Sequence, residues 1–236
     1  MFHPEMYAAN TVGMWSSLAP TIAAPDGALG VSAPGGSRYV IHRPLDTRAI
    51  AGLLGSLPTA GRVVVEDPYG APPMPALEAM TTLRMPVMNR PPGSVTLVHR
   101  PDVTVIPVAD THTLADAERV IVEGFPLRYL QPWEPGQALP PQVLTLPAWR
   151  VWLACRYGEP AAAGYTYDDG VAVGVYFLAT LPQHRFAGLG KAVMAAMLAA
   201  YPGRTATLVA TEAGEPLYTR LGFSAVSTAT WYVRAG

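Results

Sequence analysis

"TLPQHRFAGLGKAV", residues 180–193, ends a strand-like run and opens a helix-like one. It sets Gly188 and Gly190 one residue apart, with Arg185 ahead of them and Lys191, the only lysine of the chain, directly after. Two familiar phosphate motifs fail on single residues. A Gly-x-x-x-x-Gly-Lys-Ser/Thr loop would need glycine at 185 and a hydroxyl residue at 192, which are Arg185 and Ala192. A dinucleotide fingerprint would need glycine where Val193 stands, and parallel rather than hairpin-linked strands before it. Two readings stay open: glycines that merely permit tight packing, and a pyrophosphate cradle. In a cradle, the first amides of the helix lack intrahelical acceptors and lie at the positive end of its dipole. Bare glycines let a phosphate approach the backbone, and Arg185 and Lys191 add charge on either side. The residues by themselves lead to a diphosphate-bearing ligand and no further.

Working outward, three strand-like runs precede the turn: "WRVWLACRY" (149–157), "AAAGYTY" (161–167) and "VAVGVYFLATL" (171–181). The tight links "GEP" and "DDG" make them antiparallel partners. The third is apolar on both faces, which predicts a place in the middle of a sheet. After the turn, Leu189, Val193, Met197 and Leu198 predict a helix over 188–201 with that face inward. A strand (205–211), a short helix (212–223) and a last strand (225–233) follow. Ahead of these runs lie a strand (102–110) and a helix (111–125). Thr113 and Asp116 are spaced there as a capping box, and Leu114, Ala117, Val120 and Ile121 form a stripe. The Pro-rich stretch 126–148 has room for one short helix.

The first hundred residues read as a helix (4–18), two strands (28–33, 37–43), a helix (46–57) capped by Asp46, and a strand (61–68). A short helix near 75–82 and two more strands, "LRMPVM" and "SVTLVHR" (94–100), complete them. The pattern of elements restarts near 101, so two domains are expected, 1–101 and 102–236.

The 236 residues are half apolar and 14% charged, the composition of a folded chain. A net charge of −1 with no block of like charge points away from nucleic acid and from anionic membrane surfaces. The longest apolar runs, near 171–182 and 192–201, are too short to span a bilayer. The start lacks the basic residues of a secretory signal, since Arg38 is the first. Cys155 is the single cysteine, so no internal disulfide forms and a reduced, cytoplasmic protein is expected.

"LATLPQHRFAGLGKAV" resembles the acyl-CoA-binding motif of the GCN5-related N-acetyltransferases, the GNAT superfamily. Pro182, Arg185, Gly188 and Gly190 fall on its Pro, Arg/Gln, Gly and Gly/Ala, while Thr180 replaces the usual valine. "PLYTRLGF" (216–223) is similar to the family's second motif, Leu-Tyr-x-x-x-Gly-Phe, and 102–236 follows the family's order of elements. The resemblance implies a mixed α/β (α+β) fold, a mostly antiparallel central sheet flanked by helices. It implies acetyl-CoA or CoA as cosubstrate, no metal, and acyl transfer to an amine.

Carried over residue by residue, Leu178, Ala179 and Thr180 would pair with the pantetheine arm. The backbone of Arg185, Phe186, Ala187, Gly188, Leu189, Gly190 and Lys191 would hold the pyrophosphate. Tyr218 would return a proton to the CoA thiolate, the alternative being an aromatic packed beside Leu217, Leu221 and Phe223. Thr211 replaces a common asparagine and weakens a pantetheine contact, while Gly214 in place of alanine is expected to be neutral. Tyr129 and Trp133 would line the acceptor pocket or pack an interface. No general base stands out among Glu123, Glu134, Asp168, Asp169, Glu212 and His184, and His184 is expected to face solvent.

Residues 1–101 carry neither motif, yet their order resembles a degenerate half of a tandem GNAT protein. The partner expected is a small-molecule or peptide amine, with a homodimer as one arrangement. Two alternatives are a GNAT-fold acyl-CoA sensor without turnover and an acyltransferase with a non-amine acceptor.

Overall fold

The computed structural model describes residues 3–71, 80–97, 100–125 and 127–236. In chain order it contains α1 (Pro4–Leu18), β1 (Thr21–Ile22), β2 (Ala28–Ala33), β3 (Gly36–Ile41), α2 (Thr47–Gly55), β4 (Val63–Asp67) and β5 (Thr81–Arg90). Next come β6 (Val103–Pro107), α3 (Thr111–Gly124), β7 (Trp149–Arg156), β8 (Glu159–Asp168) and β9 (Ala172–Thr180). The chain ends with α4 (Leu189–Ala200), β10 (Thr205–Val209), α5 (Glu215–Arg220) and β11 (Ser224–Arg234). Residues Met1–Arg90 and Thr207–Gly236 form one compact unit, and Pro91–Ala206 the other. These units differ from the segments 1–101 and 102–236, because β11 pairs with both β4 and β5 and so joins the first ninety residues.

In the first unit the strand order is β1-β2-β3-β4-β11-β5, antiparallel except for β3 and β4. The helix α2 is the crossover between that parallel pair, and Ile50, Leu53 and Leu54 from it pack on Tyr39, Ile41, Val63, Val65 and Tyr232. Its start is closed by a side chain: the Ala49 N–H donates to Asp46 Oδ1 at 2.7 Å. The carboxylate therefore occupies the place where this strand–turn–helix connection could otherwise take an external anion. Beside α1, Arg38 and Glu66 form a buried ion pair to which the Tyr7 hydroxyl donates at 3.1 Å. The Arg38 guanidinium lies over the rings of Trp15 and Trp231.

The second unit is built on the antiparallel meander β6-β7-β8-β9. Both faces of β9 are covered as its sequence predicts, but Val171 lies before the strand and is 72% exposed. Leu114, Ala117, Val120 and Ile121 of α3 are buried, as are Leu189, Val193, Met197 and Leu198 of α4. The cap of α3 is Asp110, whose Oδ1 accepts the Thr113 N–H at 2.9 Å, so the cap lies three residues before the Thr113 expected from the sequence. Two 3₁₀ turns, Arg128–Leu130 and Pro141–Leu144, stand where one short helix is expected. The stretch 94–97 is not a strand, and residues 98 and 99 lie outside the described residues. Most of the helix expected over 75–82 also lies outside them, while 81 and 82 begin β5.

Candidate functional site

The end of β9 is bent before it reaches the glycine turn. Ala163 pairs with Ala179 and Tyr165 with Tyr176, so the intervening register slips and Phe177 adopts a left-handed φ of 50°. Gly164 makes this bulge feasible: a Cβ there would stand 3.0 Å from the Leu178 Cα and 3.1 Å from the Met197 Cε. The bulge presents Phe177 to an aromatic group that sequence reading missed. Phe177 stacks on Tyr165 (5.9 Å) and meets Phe125 edge-on (5.7 Å), and Tyr165 also contacts Trp149 (5.1 Å). Aromatic residues at 149, 165 and 177 in facing hairpin strands were the available signal.

Beyond Thr180 the chain makes a 3₁₀ turn, Pro182–His184, and then the glycine turn. Phe186 and Gly188 both take left-handed conformations, at φ 61° and 75°. Gly188 caps α4 without any side-chain acceptor. The Arg185 N–H donates to the Pro182 carbonyl, and the Ala192 N–H is the next to find a partner, at the Gly188 carbonyl. The amides of residues 186–191 have no protein acceptor among the described residues. A helix start of this kind favours an anion, because its N–H groups are unpaired and the dipole is positive there.

The two basic residues of the motif differ in their use. Lys191 is exposed. Arg185 spends its guanidinium on backbone carbonyls, donating from Nη2 to Gly124 (2.9 Å) and from Nε to Thr180 (3.2 Å). At Gly124 α3 packs tightly on β9: a Cβ there would meet the Ala179 Cβ at 2.8 Å. Arg185 thus ties the strand end, the helix end and the turn together. Its charge still lies at the turn, but its hydrogen bonds are structural.

The 136–139 part of the Pro-rich stretch is fixed by a residue that sequence reading passed over. Glu118 is fully buried on α3, and its carboxylate accepts the N–H groups of Gly136 (2.7 Å), Ala138 (2.5 Å) and Leu139 (3.0 Å). An acid inside the stripe of Leu114, Ala117 and Ile121 was the signal. Tyr129 and Trp133 are both half-buried, and the enclosed Trp133 indole N–H meets no acceptor among the described residues. The candidate bases are mostly occupied or remote from any cluster. Asp168 pairs with Arg204 (2.9 Å), and Asp169 accepts the N–H groups of Val171 and Ala172. Glu134 and Glu212 are exposed. Glu123 and the half-buried His184 line a cavity of about 410 Å³ with Arg119, Arg156 and Tyr157.

Tyr218 belongs to the first unit, on α5. It is buried, meets Phe223 edge-on at 5.9 Å, and its hydroxyl makes no hydrogen bond among the described residues. Burial pushes its pKa up to about 12, so the phenol keeps its proton throughout the neutral range. Gly214 is not neutral: a Cβ there would stand 2.9 Å from the Tyr218 Cε2, so the missing side chain makes room for the ring. Thr211 closes the same turn by accepting the Gly214 N–H at its Oγ1 (3.2 Å). No helix among the described residues is long and apolar enough to cross a membrane. No group of three or more His, Cys, Asp or Glu side chains suited to a metal occurs among them.

A family profile described as "Acetyltransferase (GNAT) domain" matches residues 147–225, which include the strands β7 to β10, the glycine turn and Tyr218. No curated protein matches the chain in sequence. Among solved structures, a GCN5-related N-acetyltransferase from Kribbella flavida is similar to all of this chain over 97% of its own, at 20% identity and a TM-score of 0.69. A GNAT-family protein from Novosphingobium aromaticivorans DSM 12444 is similar over the full length of both chains, at 18% identity and a TM-score of 0.63. A GCN5-related N-acetyltransferase-like protein from Streptococcus suis 89/1591 covers 98% of each chain, at 11% identity and a TM-score of 0.59. Residues 147–225 therefore match the GNAT acetyltransferase domain, in a chain whose fold is shared with GNAT proteins.

Proposed function

We propose that this chain is an N-acetyltransferase that moves the acetyl group of acetyl-CoA onto a primary amine by direct attack in a ternary complex. The observation that supports it is the run of unclaimed amides at 186–191 under a left-handed glycine cap. That arrangement suits a pyrophosphate in charge, in hydrogen-bond direction and in space. When bound, acetyl-CoA supplies the acetyl group as a thioester.

The remaining roles fall to the chain's own residues. The backbone of Leu178, Ala179 and Thr180 pairs with the pantetheine arm, and the bulge at Phe177 aims the strand. Tyr218 is the acid. Its pKa of about 12 lies above the roughly 8.5 of an ordinary thiol, so the phenol passes its proton to the departing thiolate only as the proton shed by the attacking amine replaces it by way of solvent. Tyr129 and Trp133 contact the acceptor from the segment that Glu118 holds. An amine partly deprotonated at working pH needs no dedicated carboxylate base.

In this reading residues 102–236 carry the catalytic domain, although Thr207–Gly236 fold with the first unit, and 1–101 is a decayed partner. Asp46 stands at the start of α2 where the second unit has a bare glycine turn, which supports a single CoA site per chain.

Incubating the full chain with acetyl-CoA and a panel of primary amines, while following free thiol, tests the proposal. Amine-dependent thiol release is expected. CoA binding without release would make the chain an acyl-CoA sensor, and release that depends on alcohols alone would make it an O-acyltransferase.

A further inference from the structure

We propose that Arg100 is the positioning residue of the glycine turn, holding the Ala187–Gly188 peptide so that the Gly188 amide is presented to the pyrophosphate. This rests on the reading of residues 186–191 as an acyl-CoA cradle. Arg100 lies outside both sequence motifs, just before β6, yet its Nη1 donates to the Ala187 carbonyl. A Cβ on Gly188 would stand 3.3 Å from the same nitrogen, so the guanidinium lies directly against the cap of α4.

The guanidinium is fixed from its other side. Its Nε and Nη2 donate to the two oxygens of Asp102, at 3.1 and 2.6 Å. Asp102 Oδ2 also accepts from Arg156 Nε at 3.3 Å. The Arg100 hydrogen bonds, ahead of the other influences, hold the Asp102 carboxyl below the usual carboxylate range. Arg100 is therefore a rigid strut between Asp102 and the turn rather than a free surface cation.

The consequence follows from peptide geometry. In a planar trans peptide the C=O and the following N–H point in opposite directions. Holding the Ala187 carbonyl against Arg100 therefore turns the Gly188 N–H away from it. That amide is one of those without a protein acceptor. Without the strut, the left-handed cap could rotate its peptide and withdraw the donor, since glycine offers little resistance. Two arginines share one aspartate here, so the cluster also leaves a net positive charge beside the anion site. Arg185, bound to carbonyls of β9 and α3, supplies the turn's anchorage, and Arg100 supplies its orientation.

Arg100→Ala, Arg100→Lys and Asp102→Asn in the full chain test this with two readouts. The first is the ¹⁵N order parameter of the turn amides in ligand-free protein. At 187–189 it is expected to fall from about 0.85, the rigid-backbone scale, to below about 0.6 in Arg100→Ala, and to be partly restored in Arg100→Lys. Unchanged order parameters would overturn the strut. The second is calorimetric affinity for CoA and for pantetheine, which lacks the diphosphate. Arg100→Ala is expected to weaken CoA about tenfold and leave pantetheine unchanged, with Asp102→Asn acting in the same direction by less. Equal CoA affinity in wild type and Arg100→Ala, or equal loss of both ligands, would overturn the positioning role. Failure of the wild type itself to bind CoA would instead defeat the cradle reading, and the order parameters would still decide whether Arg100 holds the turn.

Discussion

Arg185 Nη2 donates to the Gly124 carbonyl across 2.9 Å, so the motif's arginine, though exposed, is bound to the last turn of α3. The same side chain reaches the Thr180 carbonyl at 3.2 Å. An arginine fork can satisfy two acceptors in different directions at once, which a lysine ammonium does less well. Arg185→Ala is expected to weaken CoA about tenfold by loosening the turn, given roughly 1.5–3 kcal/mol for a hydrogen bond from a charged donor and some screening at this exposed site. Arg185→Lys should recover only part of the loss. Titration calorimetry against CoA checks both; full recovery by lysine would mean that charge alone matters.

Tyr218 offers a pH test. Its pKa is about 12 against an ordinary 10, because burial penalises the phenolate. A group whose folded pKa is raised contributes stability that is complete below its unfolded pKa and is lost as pH rises through the folded value. The contribution at stake is roughly 2–3 kcal/mol at 1.4 kcal/mol per unit, lost between about pH 10 and pH 12. Tyr69 is also pushed up to about 12, so only a difference titration isolates Tyr218. Phenolate absorbance of wild type minus Tyr218→Phe should show one late titration, and Tyr218→Phe should lose less stability over that range. The same variant is expected to lower kcat by about a hundredfold or more with KM little changed, the usual scale of a lost proton transfer.

The segment near the turn was legible in the sequence because two periodicities meet there. Alternation and apolar runs mark β7, β8 and β9, and 3.6-residue spacing marks α4. The failures have physical causes. Asp110 and Thr113 are both good caps, and only the entry of the chain into α3 decides between them. Gly214 is unremarkable until the Tyr218 ring occupies the space beside it. The strut from Arg100 to Ala187 spans 87 positions and leaves no local pattern. The last strand joins the first ninety residues through pairing with β4 and β5, a long-range choice that element order does not express.

Glu118 carries a stability prediction. Its buried carboxylate satisfies three backbone N–H groups of the 136–139 segment. Glu118→Ala strands those donors, and buried unsatisfied groups cost about 1–3 kcal/mol each, so a loss of several kcal/mol is expected. Glu118→Gln keeps the acceptor oxygen but not the charge, and should lose less. Thermal unfolding reads the difference, and limited proteolysis should cut first within 131–140 in the alanine variant. Equal stability of wild type and Glu118→Ala would remove this residue from the account.

The most direct measurement is calorimetric titration of CoA into wild type and Gly188→Val. A valine at φ 75° is strained by roughly 1–2 kcal/mol, and its Cβ would stand 3.3 Å from Arg100 Nη1, pressing on the guanidinium that holds the Ala187 carbonyl. The expected result is a single CoA site per chain in the wild type and no detectable binding in Gly188→Val, with both proteins folded by circular dichroism. Equal CoA affinity in the two proteins would contradict the assignment of residues 186–191 as the pyrophosphate cradle.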